Sequence, residues 1–147
     1  QESLVYIEKA SHTNIAHYVK LYLGLLDLLE GNLEVAKSLY QNVLKVLQSA
    51  PTPFLTSQAL EEVTYLAALE GDVVRATKLA GAIHTVNQQQ TTSTEAVFTK
   101  RREEGRKLVR EQMEPSVYEV AFAKGMAMSL EEAVIYALDG LQDSAEI

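Results

Sequence analysis

The stretch Leu29-Glu30-Gly31-Asn32-Leu33-Glu34-Val35-Ala36-Lys37-Ser38-Leu39 returns 40 positions later as Leu69-Glu70-Gly71-Asp72-Val73-Val74-Arg75-Ala76-Thr77-Lys78-Leu79. The shared frame is Leu-Glu-Gly-(Asn/Asp)-x-x-x-Ala-x-x-Leu, and every fixed place in it has a mechanical use. Gly31 and Gly71 suit the left-handed conformation that ends a helix. Asn32 and Asp72 can then cap the next helix through a side-chain oxygen. Ala36 and Ala76, one turn further on, are small enough to let two helices approach closely. The frame therefore predicts two antiparallel helical hairpins built on one plan.

Apolar residues between the breaks recur every three or four positions. Ile15, Tyr18, Val19, Tyr22, Leu25, Leu26 and Leu29 form one series. Leu33, Ala36, Leu39, Tyr40, Val43, Leu44 and Leu47 form the next, and Leu60, Val63, Leu66, Ala67, Ala76, Leu79, Ala80, Ile83 and Val86 continue it. Pro51 and Pro53 break the chain after the second helix, and Pro115 suits the first turn of a later one. Strand-like alternation is absent. The expectation is an all-α chain with helices near 12–30, 33–48, 55–70, 73–88, 94–113, 116–125 and 130–140. These group as one domain over 1–147: hairpins at 12–48 and 55–88, then a long helix with capping helices over 94–140.

The repeated frame resembles the tetratricopeptide repeat (TPR), whose second helix opens with Gly-Asp/Asn and carries a characteristic Ala. The first unit also has the expected small residue, Gly24, twelve positions before Ala36; the second has Thr64 there, a departure. The spacing of 40 exceeds the family's usual 34 or so, and Pro51-Thr52-Pro53 looks like the extra connection. The implied fold is a TPR-like stack of antiparallel hairpins, a right-handed α-solenoid. Ala76-Thr77-Lys78-Leu79-Ala80-Gly81-Ala82, followed by Gly125-Met126-Ala127-Met128-Ser129-Leu130-Glu131-Glu132-Ala133, is similar to the helical C-terminal region of bacterial signal-transduction ATPase and LuxR-type transcriptional regulators. That resemblance implies an interaction or sensing arm of a larger signalling protein. Gln1 in place of Met agrees with a segment cut from a longer chain. No Walker-type phosphate loop or helix-turn-helix is recognisable in the sequence itself.

The closing segment reads physically as well. Ser129-Leu130-Glu131-Glu132 is a capping box, Gly125 can end the helix before it, and Leu130, Ala133, Val134, Ala137 and Leu138 form an apolar face. Such a helix can cover the open end of a stack.

Composition narrows the function. The chain holds 20 acidic and 13 basic side chains, a formal charge of -7, which argues against a nucleic-acid-binding surface. Its 47% hydrophobic content is that of a globular chain. No run approaches the ~20 apolar residues of a spanning helix, and no signal pattern is present, so a cytoplasmic location is expected. The absence of cysteine removes disulfides, zinc thiolates and thiol catalysis.

Candidate chemistry is sparse. His12 and His17 lie five apart, about 140° around a helix, and share no metal-binding face. His84 has no nearby carboxylate in sequence, and each histidine is expected to be exposed or satisfied. Glu61-Glu62, Glu103-Glu104 and Glu131-Glu132 are expected on solvated faces, because adjacent helical residues diverge by about 100°. Lys100, Arg101, Arg102, Arg106, Lys107 and Arg110 share one helix with Glu95, Glu103, Glu104, Glu111 and Glu114. This predicts a solvent-facing, salt-bridged helix, with Glu103 and Lys107 in the favourable i, i+4 order. Gln88-Gln89-Gln90-Thr91-Thr92 reads as a fraying helix end and a polar loop.

The helix over 15–29 is apolar on nearly every side, with Leu21, Leu23 and Leu28 outside its first stripe, so it is buried on both sides or meets a partner. Two readings stand: packing against residues 2–10, whose Leu4, Val5, Tyr6 and Ile7 look like the remains of a preceding repeat, or a ligand groove. The TPR frame implies groove positions Tyr18, Leu21 and Leu25 in the first unit and Gln58, Glu61 and Tyr65 in the second. The expected function is a non-catalytic interaction or sensing module, with no cofactor, metal or catalytic residue. Its partner would be a protein or peptide, or other domains of its parent, with neither nucleic acid nor membrane engaged. A homodimer through the N-terminal end is a further expectation. The alternative is a small-molecule effector held between helices. A small helical enzyme is the competing class, and it would need a polar pocket the sequence does not display.

Overall fold

A computed structural model describes residues 2–88 and 96–143, with side chains described over 15–88 and 103–142. Among these residues the secondary structure is entirely helical: α1 (Glu2–Leu29), α2 (Leu33–Ser49), α3 (Pro53–Leu69), α4 (Val73–Gln88), α5 (Ala96–Gln112), α6 (Pro115–Met126) and α7 (Leu130–Asp143). Pro53 and Pro115 each occupy the first turn of a helix, where a missing amide hydrogen costs nothing.

The two glycine turns are built alike. Gly31 has φ 87° and Gly71 φ 82°, both left-handed. The Gly31 amide donates to the Leu28 carbonyl and the Asn32 amide to that of Asp27, at 3.2 and 2.7 Å. Gly71 donates to Ala68 and Asp72 to Ala67, at 3.1 and 2.9 Å. This paired closure satisfies carbonyls that the helix end leaves open. The two caps then diverge. Asp72 accepts from the Arg75 amide as expected, but Asn32 makes no side-chain cap and reaches back to Asp27 instead. Ala36 and Ala76 are fully buried.

The first helix differs from expectation in extent and in orientation. Residues 2–10 are its own opening turns, so they cannot cover 15–29. Its buried face carries His17, Leu21, Gly24, Leu25 and Leu28, while Ile15, Val19, Tyr22, Leu26 and Leu29 of its first apolar series are exposed. Gly24 sets this orientation: a Cβ there would lie 2.5 Å from the Tyr40 ring, so α2 comes closest on the glycine side.

At the centre lies α3, which packs against α1, α2, α4, α5 and α7. It is enclosed on almost every side, and Glu61 and Glu62, anticipated on a solvated face, are 2% and 0% exposed. The Tyr40 hydroxyl donates to a Glu62 carboxylate oxygen at 3.4 Å. Ser57 donates to Asn87 at 2.7 Å, and Thr64 to its own Leu60 carbonyl at 2.6 Å.

α4 and α6 cross in close contact. A Cβ on Gly81 would strike the Phe122 carbonyl, and one on Gly125 the Lys78 carbonyl, so the two backbones touch. Gly125 therefore lies inside α6 as a contact residue and does not end the helix, which runs to Met126. On α5, Glu103 and Lys107 form no ion pair. Instead Arg106 lies over the Phe122 ring at 5.9 Å and Arg110 over Tyr118 at 5.5 Å, cation–π contacts that outweigh an exposed i, i+4 pair. Lys100, Arg101, Arg102 and Glu95 lie outside the described side chains.

The capping box forms as read: the Glu132 amide donates to the Ser129 hydroxyl at 3.1 Å, and the Ser129 amide to the Glu132 carboxylate at 3.3 Å. The helix it starts, α7, packs on α2, α3 and α4, with Ala133, Val134, Ala137, Leu138 and Leu141 in the main core. Arg75 holds it there, donating to the Tyr136 carbonyl at 2.8 Å with its guanidinium 4.6 Å from the Tyr136 ring centre. Burial pushes the Tyr136 hydroxyl pKa up, against the opposing pull of Arg75.

Candidate functional site

The six residues placed in a groove by the repeat frame are distributed otherwise. Leu21 and Leu25 are 1% and 6% exposed and belong to the core between α1, α2 and α3. Gln58 is fully buried on α3, and neither its carboxamide nitrogen nor its oxygen has a hydrogen-bond partner among the described residues. Tyr18 is half-buried and meets the Phe54 ring at 5.8 Å. Glu61 and Tyr65 share a cleft with Thr64, Ala80, Ile83, Gly105 and Arg106, while Tyr18 and Tyr65 also pack against the core cluster that holds Leu21. That cleft measures about 10 Å³, room for a single water molecule. Because α5 packs over α3, these positions line a closed seam.

His17 was expected to be exposed or satisfied. It is buried at 6% exposure, with neither ring nitrogen hydrogen-bonded among the described residues. Loss of hydration lowers its pKa, and the Lys20 charge adds to the effect. A neutral imidazole is the form such a site tolerates. His84 packs on the Phe122 ring at 5.7 Å. His12 lies outside the described side chains. Among the described residues no group of three or more His, Cys, Asp or Glu is arranged to hold a metal, and no helix is long and apolar enough to cross a membrane.

What is open is apolar surface on α1. Ile15, Val19, Tyr22, Leu26 and Leu29 are 58%, 50%, 39%, 56% and 58% exposed, with Leu23 beside them at 48%. Their alternating spacing of four and three is that of a helix–helix seam. Single exposed apolar residues are ordinary; here six lie together along one helix. Periodicity alone could not select this face, since the helix is apolar all round; Gly24 was the signal, because it marks the side of closest approach.

No family model, curated protein or solved structure matches this chain.

Proposed function

We propose that this chain is a non-catalytic protein-interaction module, a TPR-like helical stack that presents the exposed face of α1 to a partner helix. The observation that carries this reading is the aligned stripe from Ile15 to Leu29. The TPR-like part is supported by the two hairpins, which use Gly31 with Ala36 and Gly71 with Ala76 in the same structural roles. The partner is a protein, a second copy, or another domain of a bacterial signalling or transcriptional regulator in the cytoplasm. That context rests on the sequence resemblance. The groove of the family frame is not the contact surface in this reading, because α5 and the core close it.

Val19→Asp combined with Leu26→Asp tests the reading. Both side chains are about half exposed, so at about 0.5 kcal/mol each the combined stability change stays near 1 kcal/mol. Partner recovery on a tagged wild-type chain should fall at least tenfold with the double variant, and undiminished recovery refutes the reading. A second reading, a small-molecule effector held between helices, is favoured by the buried carboxamide of Gln58, which has no hydrogen-bond partner among the described residues. A thermal-shift screen in which a ligand stabilises the wild type but not Gln58→Leu would support it; a screen without such a ligand removes it.

A further inference from the structure

The chain is acidic as a whole, yet one groove on its surface is cationic. Beside the glycine crossing of α4 and α6 lies an open groove of about 380 Å³ lined by Val74, Lys78, Ser116, Val117, Val120, Ala121 and Lys124. Three of its valines are strongly exposed: Val74 at 43%, Val117 at 48% and Val120 at 58%. Val117 and Val120 lie three positions apart on α6, beside Val74 on α4, which gives the groove an apolar floor. No carboxylate lines it, and neither lysine has an acidic partner within salt-bridge distance among the described residues. The neighbour of Lys78 is the Tyr136 ring, 5.6 Å from its ammonium.

Two ammonium groups beside an apolar floor set the chemistry of an occupant. It must bring aliphatic side chains and carboxylates on one strip. Phosphate backbones match the charge but not the floor, and two lysines on a chain of charge -7 are a poor footing for nucleic acid. A helix laid into a groove supplies both features through its i, i+3, i+4 spacing.

We propose that the groove between α4 and α6 binds an acidic amphipathic helix from a partner protein, with aliphatic side chains on Val74, Val117 and Val120 and carboxylates on Lys78 and Lys124. This surface is on different helices from the α1 stripe, and the proposal holds or falls without it. Lys78 and Lys124 fix the sign of the partner, since like charges brought to the groove are repelled.

The test uses the full chain and a fluorescein-labelled peptide of about 16 residues, some four helical turns, with leucines on one face and glutamates on the other. A counterpart carries lysine at every glutamate. Fluorescence polarisation should show the acidic peptide binding wild type at least about tenfold more tightly than the basic one, and raised salt should weaken it. Lys78→Glu with Lys124→Glu should invert that order. Val120→Ser, at an exposed position that leaves the helical circular dichroism unchanged, should weaken the acidic peptide severalfold. Equal binding of the two peptides, no binding of the acidic one, or an order unchanged by charge reversal would overturn the proposal. Tight binding of a short single-stranded oligonucleotide in place of the acidic peptide would also overturn it.

Discussion

Alanine at Gly125 and alanine at Gly105 should move stability in opposite directions, although both glycines lie inside helices. In an unobstructed helix, Gly→Ala stabilises by about 1 kcal/mol, because glycine has more backbone freedom to lose on folding. Gly105 on α5 meets that condition: a new Cβ would be 3.9 Å from the Tyr65 ring, an ordinary contact. At Gly125 a Cβ would fall on the Lys78 carbonyl, with the Lys78 carbonyl carbon 2.7 Å and its Cα 2.9 Å away. The obstacle is the backbone of a packed helix, which cannot rotate aside, so α4 and α6 must separate. Overpacking of this kind costs about 1–3 kcal/mol, with the upper end expected against a rigid neighbour. Subtracting the propensity gain leaves a net loss of about 2 kcal/mol. At roughly 2–4 °C per kcal/mol for a chain of this size, Gly125→Ala should melt about 4–8 °C lower and Gly105→Ala about 2–4 °C higher. Urea unfolding followed by circular dichroism at the helical band measures both. A Gly125→Ala protein as stable as the wild type would refute the backbone contact between α4 and α6.

Leu138→Ala should cost about 2–4 kcal/mol, because Leu138 is 4% exposed in the main core; a loss under ~1 kcal/mol would place α7 outside that core. Ser129→Ala should cost about 0.5–2 kcal/mol through the lost cap, measured by the same urea titration. His17 contributes a pH dependence of definite sign. Its folded pKa lies below the ordinary 6.5, so below that pH the unfolded chain binds more protons, and stability falls as pH drops toward the folded pKa. Between pH 7.5 and 5.5 the wild type should therefore lose more stability than His17→Leu, and equal losses would contradict the burial of a neutral imidazole.

Local structure was legible in the sequence because local residues decide it. The glycine turns, the prolines at first helical turns and the Ser129–Glu132 capping box all act within a few positions, and the helices begin and end near them. The faces were less legible. In α1, apolar on all sides, periodicity had no contrast to report, and the choice was made by Gly24 against a tyrosine sixteen residues away. In α3 the sequence suggests a solvated face for Glu61 and Glu62 and a groove for Gln58, but five other helices enclose all three. The packing of α7 into the core was hidden for a related reason. Its apolar face fits a terminal cap and an internal wedge equally well, and the location of Arg75 and Tyr136 in space decides between them.

The central functional claim is that the α1 stripe is a contact surface, and photo-crosslinking from Tyr22 tests it most directly. Tyr22 lies in the middle of the stripe and is 39% exposed, so a benzophenone-bearing amino acid can replace it without entering the core. A matched protein carries the same group at Glu34, an exposed polar position on α2. Irradiation in cells should give discrete crosslinked species from position 22, mapped by mass spectrometry to one helical segment, and few from position 34. Equal, diffuse crosslinking from both positions would contradict the account.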